Sequence, residues 1–256
     1  VVLMFSKIYN TELKINYNPV DDFNRYAFDI SAEYNQSVEE GLDIEEHKAL
    51  FEAVQNMPKG EEKTKMSDVI FELVMNSKIR EDYKYNEPNE LDEIKALRKH
   101  YEFEAQMPDK ETLRKKLLGA WTGRAVGCLL GKPLEGIRSD ELIPFLKETN
   151  NFPMHRYVLS TDITDETLKK YKFSFENKPY GDIVDGMPVD DDTNYVVLSQ
   201  KIVEEYGRSF ESANVAKAWL KYQSIYSYFT AERIAYINFI NCIEPPASAM
   251  YKNVCR

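Results

Sequence analysis

Apolar residues recur three to four positions apart along much of the chain, the spacing that places side chains on one face of an α-helix. In the first 108 residues this pattern predicts helices over about 22–34, 44–56, 67–76 and 89–106. Gly and Pro, which interrupt helices, number only 10 and 11 among 256 residues, below the usual combined share of roughly 12 %. The pattern and the composition together predict an all-α fold.

A further predicted helix carries an unusual row of glycines. It begins at Asp109, a suitable N-cap residue, and ends before Pro133. Four glycines follow one another at intervals of four residues: Gly119, Gly123, Gly127 and Gly131. Each glycine inside a helix costs about 1 kcal/mol relative to alanine, so a compensating gain is expected. We expect another backbone to approach this face closely; a packed core helix without chemistry is the alternative.

Carboxylates are concentrated in the loop-like stretch that follows. Residues 162–192 contain nine acidic residues and end in Asp190, Asp191 and Asp192, which precede Thr193 and an amphipathic helix ending at Gly207. One aspartate is enough to cap a helix, and adjacent carboxylates repel one another. The surplus favours a bound divalent cation such as Mg²⁺, which prefers oxygen ligands. An ordinary acidic helix start is the alternative.

The acidity of the chain is confined to its first part. The whole sequence has 33 Lys and Arg against 43 Asp and Glu, a net charge of −10. Residues 1–108 contain 13 basic and 23 acidic residues, whereas residues 109–256 contain 20 of each. This contrast predicts an acidic helical module over 1–108 and a second domain over 109–256. The net acidity argues against strong nucleic-acid binding through phosphate contacts.

Neither membrane insertion nor a disulfide framework is expected. No apolar run reaches the 18 residues that a membrane-spanning helix needs. Three cysteines in 256 residues do not form a disulfide scaffold. We therefore expect a cytoplasmic protein without a membrane partner.

The glycine-rich helix and the aspartate triplet, taken in this order, resemble the ADP-ribosylglycohydrolase family. Residues 118–135 read LGAWTGRAVGCLLGKPLE, and residues 190–193 read DDDT some 55 positions later. In that family a glycine-rich first helix ends in a functional glutamate, and a T-D-D-T or D-D-D-T motif supplies metal ligands. The resemblance covers about residues 113–250. It implies a multi-helical orthogonal bundle that holds two Mg²⁺ ions.

The resemblance also implies a function and a set of site residues. Glu135 matches the catalytic glutamate, and Asp191 and Asp192 match the paired aspartates that bind the first Mg²⁺ ion. Asp190 stands where many members have Thr, and its carboxylate is expected to serve the same ion. Gly131, Glu135 and Thr193 are then expected to bind the substrate. The implied enzyme is a Mg²⁺-dependent hydrolase that cleaves the N- or O-glycosidic bond of ADP-ribose on a modified protein or a small ADP-ribosyl compound.

Two departures from the family pattern bear on activity. Cys128 stands where the family commonly has an aspartate, and no aspartate follows Asp192, so a downstream D-x-D-[ST] motif is lacking. We therefore expect a small helical module followed by the first half of the catalytic domain, a fragment with low or no activity alone. The alternative is a non-catalytic helical module that binds a partner or serves a structural, crystallin-like role.

Overall fold

The computed structural model describes residues 26–102 and 106–256. These ranges are helical and contain no β-strand; an isolated bridge joins Leu42 to Ile79. The helices are α1 (Ile30–Glu39), α2 (Lys48–Gln55), α3 (Glu61–Asn76), α4 (Leu91–Leu97), α5 (Lys110–Gly131), α6 (Ser139–Glu148), α7 (Asp165–Lys170), α8 (Asp191–Tyr206), α9 (Ser212–Tyr222), α10 (Thr230–Ile240) and α11 (Ala247–Met250). The predicted all-α class is thus confirmed. Among the described helices, none is both long enough and apolar enough to cross a membrane.

Helix boundaries follow the predictions best where a local signal fixes them. The side chain of Asp109 accepts hydrogen bonds from the backbone N–H groups of Glu111 and Thr112 at 3.0 and 2.9 Å, as predicted for an N-cap. Helix α3 begins before the predicted residue 67 and ends at the predicted Asn76. The start of the helix predicted over 22–34 lies outside the described residues.

The helix predicted over 89–106 is wrong in its length, because α4 ends at Leu97. The apolar stripe is largely exposed: Leu91, Leu97 and Tyr101 are 56, 55 and 65 % exposed. A short helix gains most of its stability from packing one face, and these side chains bury little of theirs against the described residues. Residues 103–105 of the predicted helix lie outside the described residues.

The described residues divide into two compact units. One contains residues 106–200, and the other contains residues 26–102 together with 201–256. The boundary predicted near residue 108 lies close to residue 106, where one of the two units begins. The last helices, however, pack with residues 26–102, so the assignment of 109–256 to one domain stays a prediction.

The unit formed by 26–102 and 201–256 closes around a core and a buried ion pair. Ile30, Phe51 and Ile70 are almost fully buried in this core. Glu33 has no exposed surface, and the guanidinium of Arg256 binds both of its carboxylate oxygens at 2.9 and 3.0 Å. This pairing connects the last residues of the sequence to α1 of the same unit.

The unit formed by 106–200 has an aromatic core beneath the loop that leads to the aspartate triplet. The rings of Phe145 and Phe175, both fully buried, have centroids 4.8 Å apart. The hydroxyl of Tyr180 donates to the carbonyl oxygen of Phe175 at 2.7 Å. Arg156 donates two hydrogen bonds to Asp162 at 2.7 and 2.9 Å. These contacts give a defined structure to the segment before the aspartate triplet, for which the sequence predicts only a loop.

The close approach predicted for the glycine face of α5 is not found. A Cβ atom added at Gly119, Gly123, Gly127 or Gly131 meets no other described atom within 4 Å. Leu117 and Leu118, on the same helix, are 54 and 62 % exposed. Among the described residues, therefore, no packing contact offsets the cost of these glycines to helix stability.

Replacing Gly123 with Ala is expected to raise the free energy of unfolding by about 0.5–1 kcal/mol. Alanine restricts the unfolded backbone more than glycine does, and the added methyl group has open space around it. Urea denaturation followed by circular dichroism measures the change. A loss of stability would contradict the open glycine face.

Candidate active site

A tight turn after α5 presents Glu135. Residues Lys132–Leu134 form one 3-10 turn directly after the helix, and Pro133 prevents its continuation. Glu135 has φ −58° and ψ 126°, and Gly136 follows with φ +89°. The N–H of Ile137 donates to the carbonyl oxygen of Leu134 at 3.1 Å, which closes a type II β-turn. The carboxylate of Glu135 is consequently held at an exposed corner.

Replacing Gly136 with Ala is expected to lower the free energy of unfolding by about 1–2 kcal/mol. The third residue of a type II turn needs a positive φ, which is strained for an L-residue with a side chain. Chemical denaturation measures the loss, and Gly123→Ala is the matched control because it makes the same chemical change at a helical φ. Equal effects of the two substitutions would contradict the turn.

The start of α8 separates the three aspartates into one buried and two exposed residues. Asp190 is 7 % exposed, and its Oδ1 accepts the N–H of Asp192 at 3.0 Å. The carbonyl oxygen of Asp190 also accepts the hydroxyl of Thr193 at 3.0 Å. Asp190 therefore caps the helix from inside the unit, whereas Asp191 and Asp192 remain exposed.

Two contacts join the end of α5 to the start of α8. The ammonium group of Lys132 forms an ion pair with Oδ2 of Asp190. Arg124, two turns earlier, donates from Nη1 to the carbonyl oxygen of Asp192 at 3.2 Å. Both contacts span more than 55 positions of sequence. They bring the glycine-rich helix and the aspartate triplet, which the sequence singled out separately, to one place.

The two segments line a single cavity of about 370 Å³. Its lining residues are Gly127, Cys128, Gly131, Lys132, Glu135, Asp190, Asp191 and Asp192. The structure thus places Gly131, Glu135 and the three aspartates around a common space. Thr193 is not among the lining residues, and its hydroxyl is engaged by the backbone of Asp190.

The sequence-based site residues do not include three of the lining residues: Gly127, Cys128 and Lys132. Cys128 was noticed only as a departure from the family pattern, and Lys132 only as part of the motif. A signal was present, because Arg124, Cys128 and Lys132 are spaced by four and so share one face of the helix end. That face is the one directed at α8.

The charges in the cavity set the protonation of its groups. Burial and the neighbouring Asp190 carboxylate raise the pKa of the Cys128 thiol to about 12. Burial opposes ionisation of Asp190, but the hydrogen bonds from Lys132 and Cys128 outweigh it and lower the pKa of this carboxyl. Burial and the adjacent Asp190 raise the pKa of Asp191. At neutral pH the cavity therefore contains a neutral thiol and a charged Lys132–Asp190 pair.

Part of this cavity has the dimensions of a cation site. The sulfur of Cys128 and carboxylate oxygens of Asp190 and Asp192 all lie within 4.8 Å of one another. Ligands of one Mg²⁺ or Ca²⁺ ion are at most about 4–5 Å apart. The carboxylates fit a hard divalent ion, with Asp191 and Glu135 lining the same cavity. The sulfur of Cys128 is a soft ligand and does not suit Mg²⁺ or Ca²⁺, which prefer oxygen.

Comparisons with known proteins do not assign this site to a family. No protein-family model matches the chain, and neither a curated protein nor a solved structure matches it. Its function is therefore inferred from the lining residues and from the order of the two sequence motifs.

Proposed function

We propose that the chain belongs to a divalent-metal-dependent hydrolase that removes ADP-ribose from a modified protein or a small ADP-ribosyl compound. One observation carries the proposal: the end of the glycine-rich motif and the aspartate triplet, which the resemblance names as a pair, both contribute residues to the lining of the same cavity. The N- or O-glycosidic bond at the ribose is the bond to be cleaved. Mg²⁺ is the proposed metal, because the available ligands are carboxylate oxygens.

Each lining residue has a role that its position supports. Asp190, Asp191 and Asp192 provide the oxygen ligands of the ion. When bound, a divalent cation supplies Lewis acidity toward ribose hydroxyls and water. Glu135, exposed at its turn, accepts a proton from the attacking water as a general base. Gly131 has no side chain and leaves the backbone at the end of α5 open to the substrate.

Loss of the metal-binding carboxylates tests this proposal. Binding of ADP-ribose is measured by calorimetry with and without Mg²⁺, and release of ADP-ribose from modified protein is measured alongside. We expect Mg²⁺-dependent binding that disappears in the double variant Asp191→Asn, Asp192→Asn. The control is Asp140→Asn, which removes a carboxylate from the exposed first turn of α6 in the same unit. Mg²⁺-dependent binding or release that survives in the double variant would refute the metal assignment.

A non-catalytic helical module, with a binding or structural role, is the second candidate. The composition of the cavity favours it: Cys128 takes the place of a family aspartate, and the ammonium of Lys132 already neutralises Asp190. Such a module would fold normally and bind neither Mg²⁺ nor ADP-ribose. The same calorimetric titration of the unmodified chain separates the two candidates.

A further inference from the structure

Of the four carboxylates that line the cavity, Asp190 is the buried one, and it forms an ion pair with Lys132. The side chain of Asp190 is 6 % exposed and that of Lys132 is 24 % exposed. A buried carboxylate without a counter-ion is unfavourable. The ammonium of Lys132 therefore stabilises the ionised side chain of Asp190 while no other cation is present. Lys132 belongs to the 3-10 turn after α5, where the adjacent Pro133 and Leu134 are buried.

Both oxygens of Asp190 already have a partner. Oδ1 accepts the N–H of Asp192, and Oδ2 contacts the ammonium of Lys132. The oxygen bound to Lys132 belongs to the same carboxylate that, with Cys128 and Asp192, forms the cluster of cation size. Two cations on one carboxylate repel each other strongly at a few ångströms in a partly buried site. A divalent ion at Asp190 is therefore expected to weaken the ion pair with Lys132.

We propose that Lys132 competes with the metal ion for Asp190. Its ammonium neutralises the carboxylate in the metal-free site and leaves Oδ2 when a divalent cation binds. This inference rests on the metal site of the proposed function and adds a residue that sets its affinity. The affinity for metal then reflects the exchange of one cation for another, and is weaker than the three aspartates alone would give.

The variant Lys132→Met tests the competition directly. Calorimetric titration of the whole chain with Mn²⁺ or Mg²⁺ should give a dissociation constant at least about tenfold lower than that of the wild type, since one competing positive charge is removed. Lys132→Arg keeps the charge and should bind metal no more tightly than the wild type. Lys116→Met is the matched control, because it removes the same charge from an exposed position of α5.

Each outcome of this titration decides between the proposals. Equal or weaker metal binding by Lys132→Met, with clear binding by the wild type, overturns the competition and leaves the metal site intact. Tighter binding by Lys116→Met to the same extent assigns the effect to net charge and also overturns the competition. Failure of both the wild type and Lys132→Met to bind metal refutes the proposed metal site together with this inference.

A second measurement needs no substitution at Lys132. Reductive methylation of lysines in the wild type, followed by peptide mass spectrometry, reports how readily each ammonium leaves its partner. Millimolar Mg²⁺ should accelerate modification of Lys132 several-fold and leave Lys116 unchanged. An unchanged or slower reaction at Lys132 in the presence of Mg²⁺ would show that the ion pair persists, and would overturn the proposal.

Discussion

Replacing Arg256 with Met is expected to lower the free energy of unfolding of the unit formed by 26–102 and 201–256 by about 3–5 kcal/mol. The substitution leaves the carboxylate of Glu33, which has no exposed surface, without its counter-ion, although the hydroxyl of Ser37 still donates a hydrogen bond to it. A buried charge deprived of its counter-ion is destabilising by this amount. Urea denaturation, followed by tyrosine and tryptophan fluorescence, measures the loss.

A double variant separates the ion pair from simple loss of packing. Replacing Glu33 and Arg256 together with Met removes both charges and should recover much of the lost stability, because no unpaired charge remains. Lys221→Met, in the same unit, is an exposed control whose ion pair with Glu205 should contribute no more than about 1 kcal/mol. A double variant as unstable as Arg256→Met would contradict the role given to the buried charge.

Replacing Asp190 with Asn is expected to reduce the affinity for Mg²⁺ or Mn²⁺ at least about 100-fold. The amide removes an anionic ligand at the centre of the cation-sized cluster, and even indirect partners of metal ligands account for 10–100-fold effects. Its carbonyl oxygen still accepts the N–H of Asp192, so the cap of α8 is preserved. Calorimetric titration of the folded variant measures the change.

The control for this substitution is Asp140→Asn, which changes an exposed carboxylate at the start of α6. It should bind the ion as the wild type does. Circular dichroism establishes that α8 and the rest of the chain remain helical in Asp190→Asn. A variant that is folded and binds the ion within a few-fold of the wild type would remove Asp190 from the proposed ligands.

Local chemistry in the sequence was sufficient to predict the helices that have clear ends. The cap at Asp109, the stop at Pro133 and the glycine at 207 each act within one turn of chain, so their effects can be read from a few neighbouring residues. The length of α4 could not be predicted in this way. Its apolar residues indicate a helix face, but only the folded unit shows that their side chains are largely exposed.

The sequence predicted most of the residues that line the candidate site, but it did not predict the ion pair within that site. Gly131, Glu135 and the three aspartates were named from motif order, and the structure brings them to one cavity. The pairing of Lys132 with Asp190 joins positions 58 residues apart, so no local pattern specifies it. The same limit applies to the contact between Arg256 and Glu33, whose partners are 223 residues apart.

This sequence separation affects how the unit folds during synthesis on the ribosome. Residues 26–102 emerge first, but the counter-ion of Glu33 is synthesised only 223 residues later. At about 5–20 residues per second, this delay lasts on the order of 10–45 seconds. During that time Glu33 has no Arg256 to pair with, and the core shared by α1, α2 and α3 lacks Val254, the buried residue that the last segment adds to it.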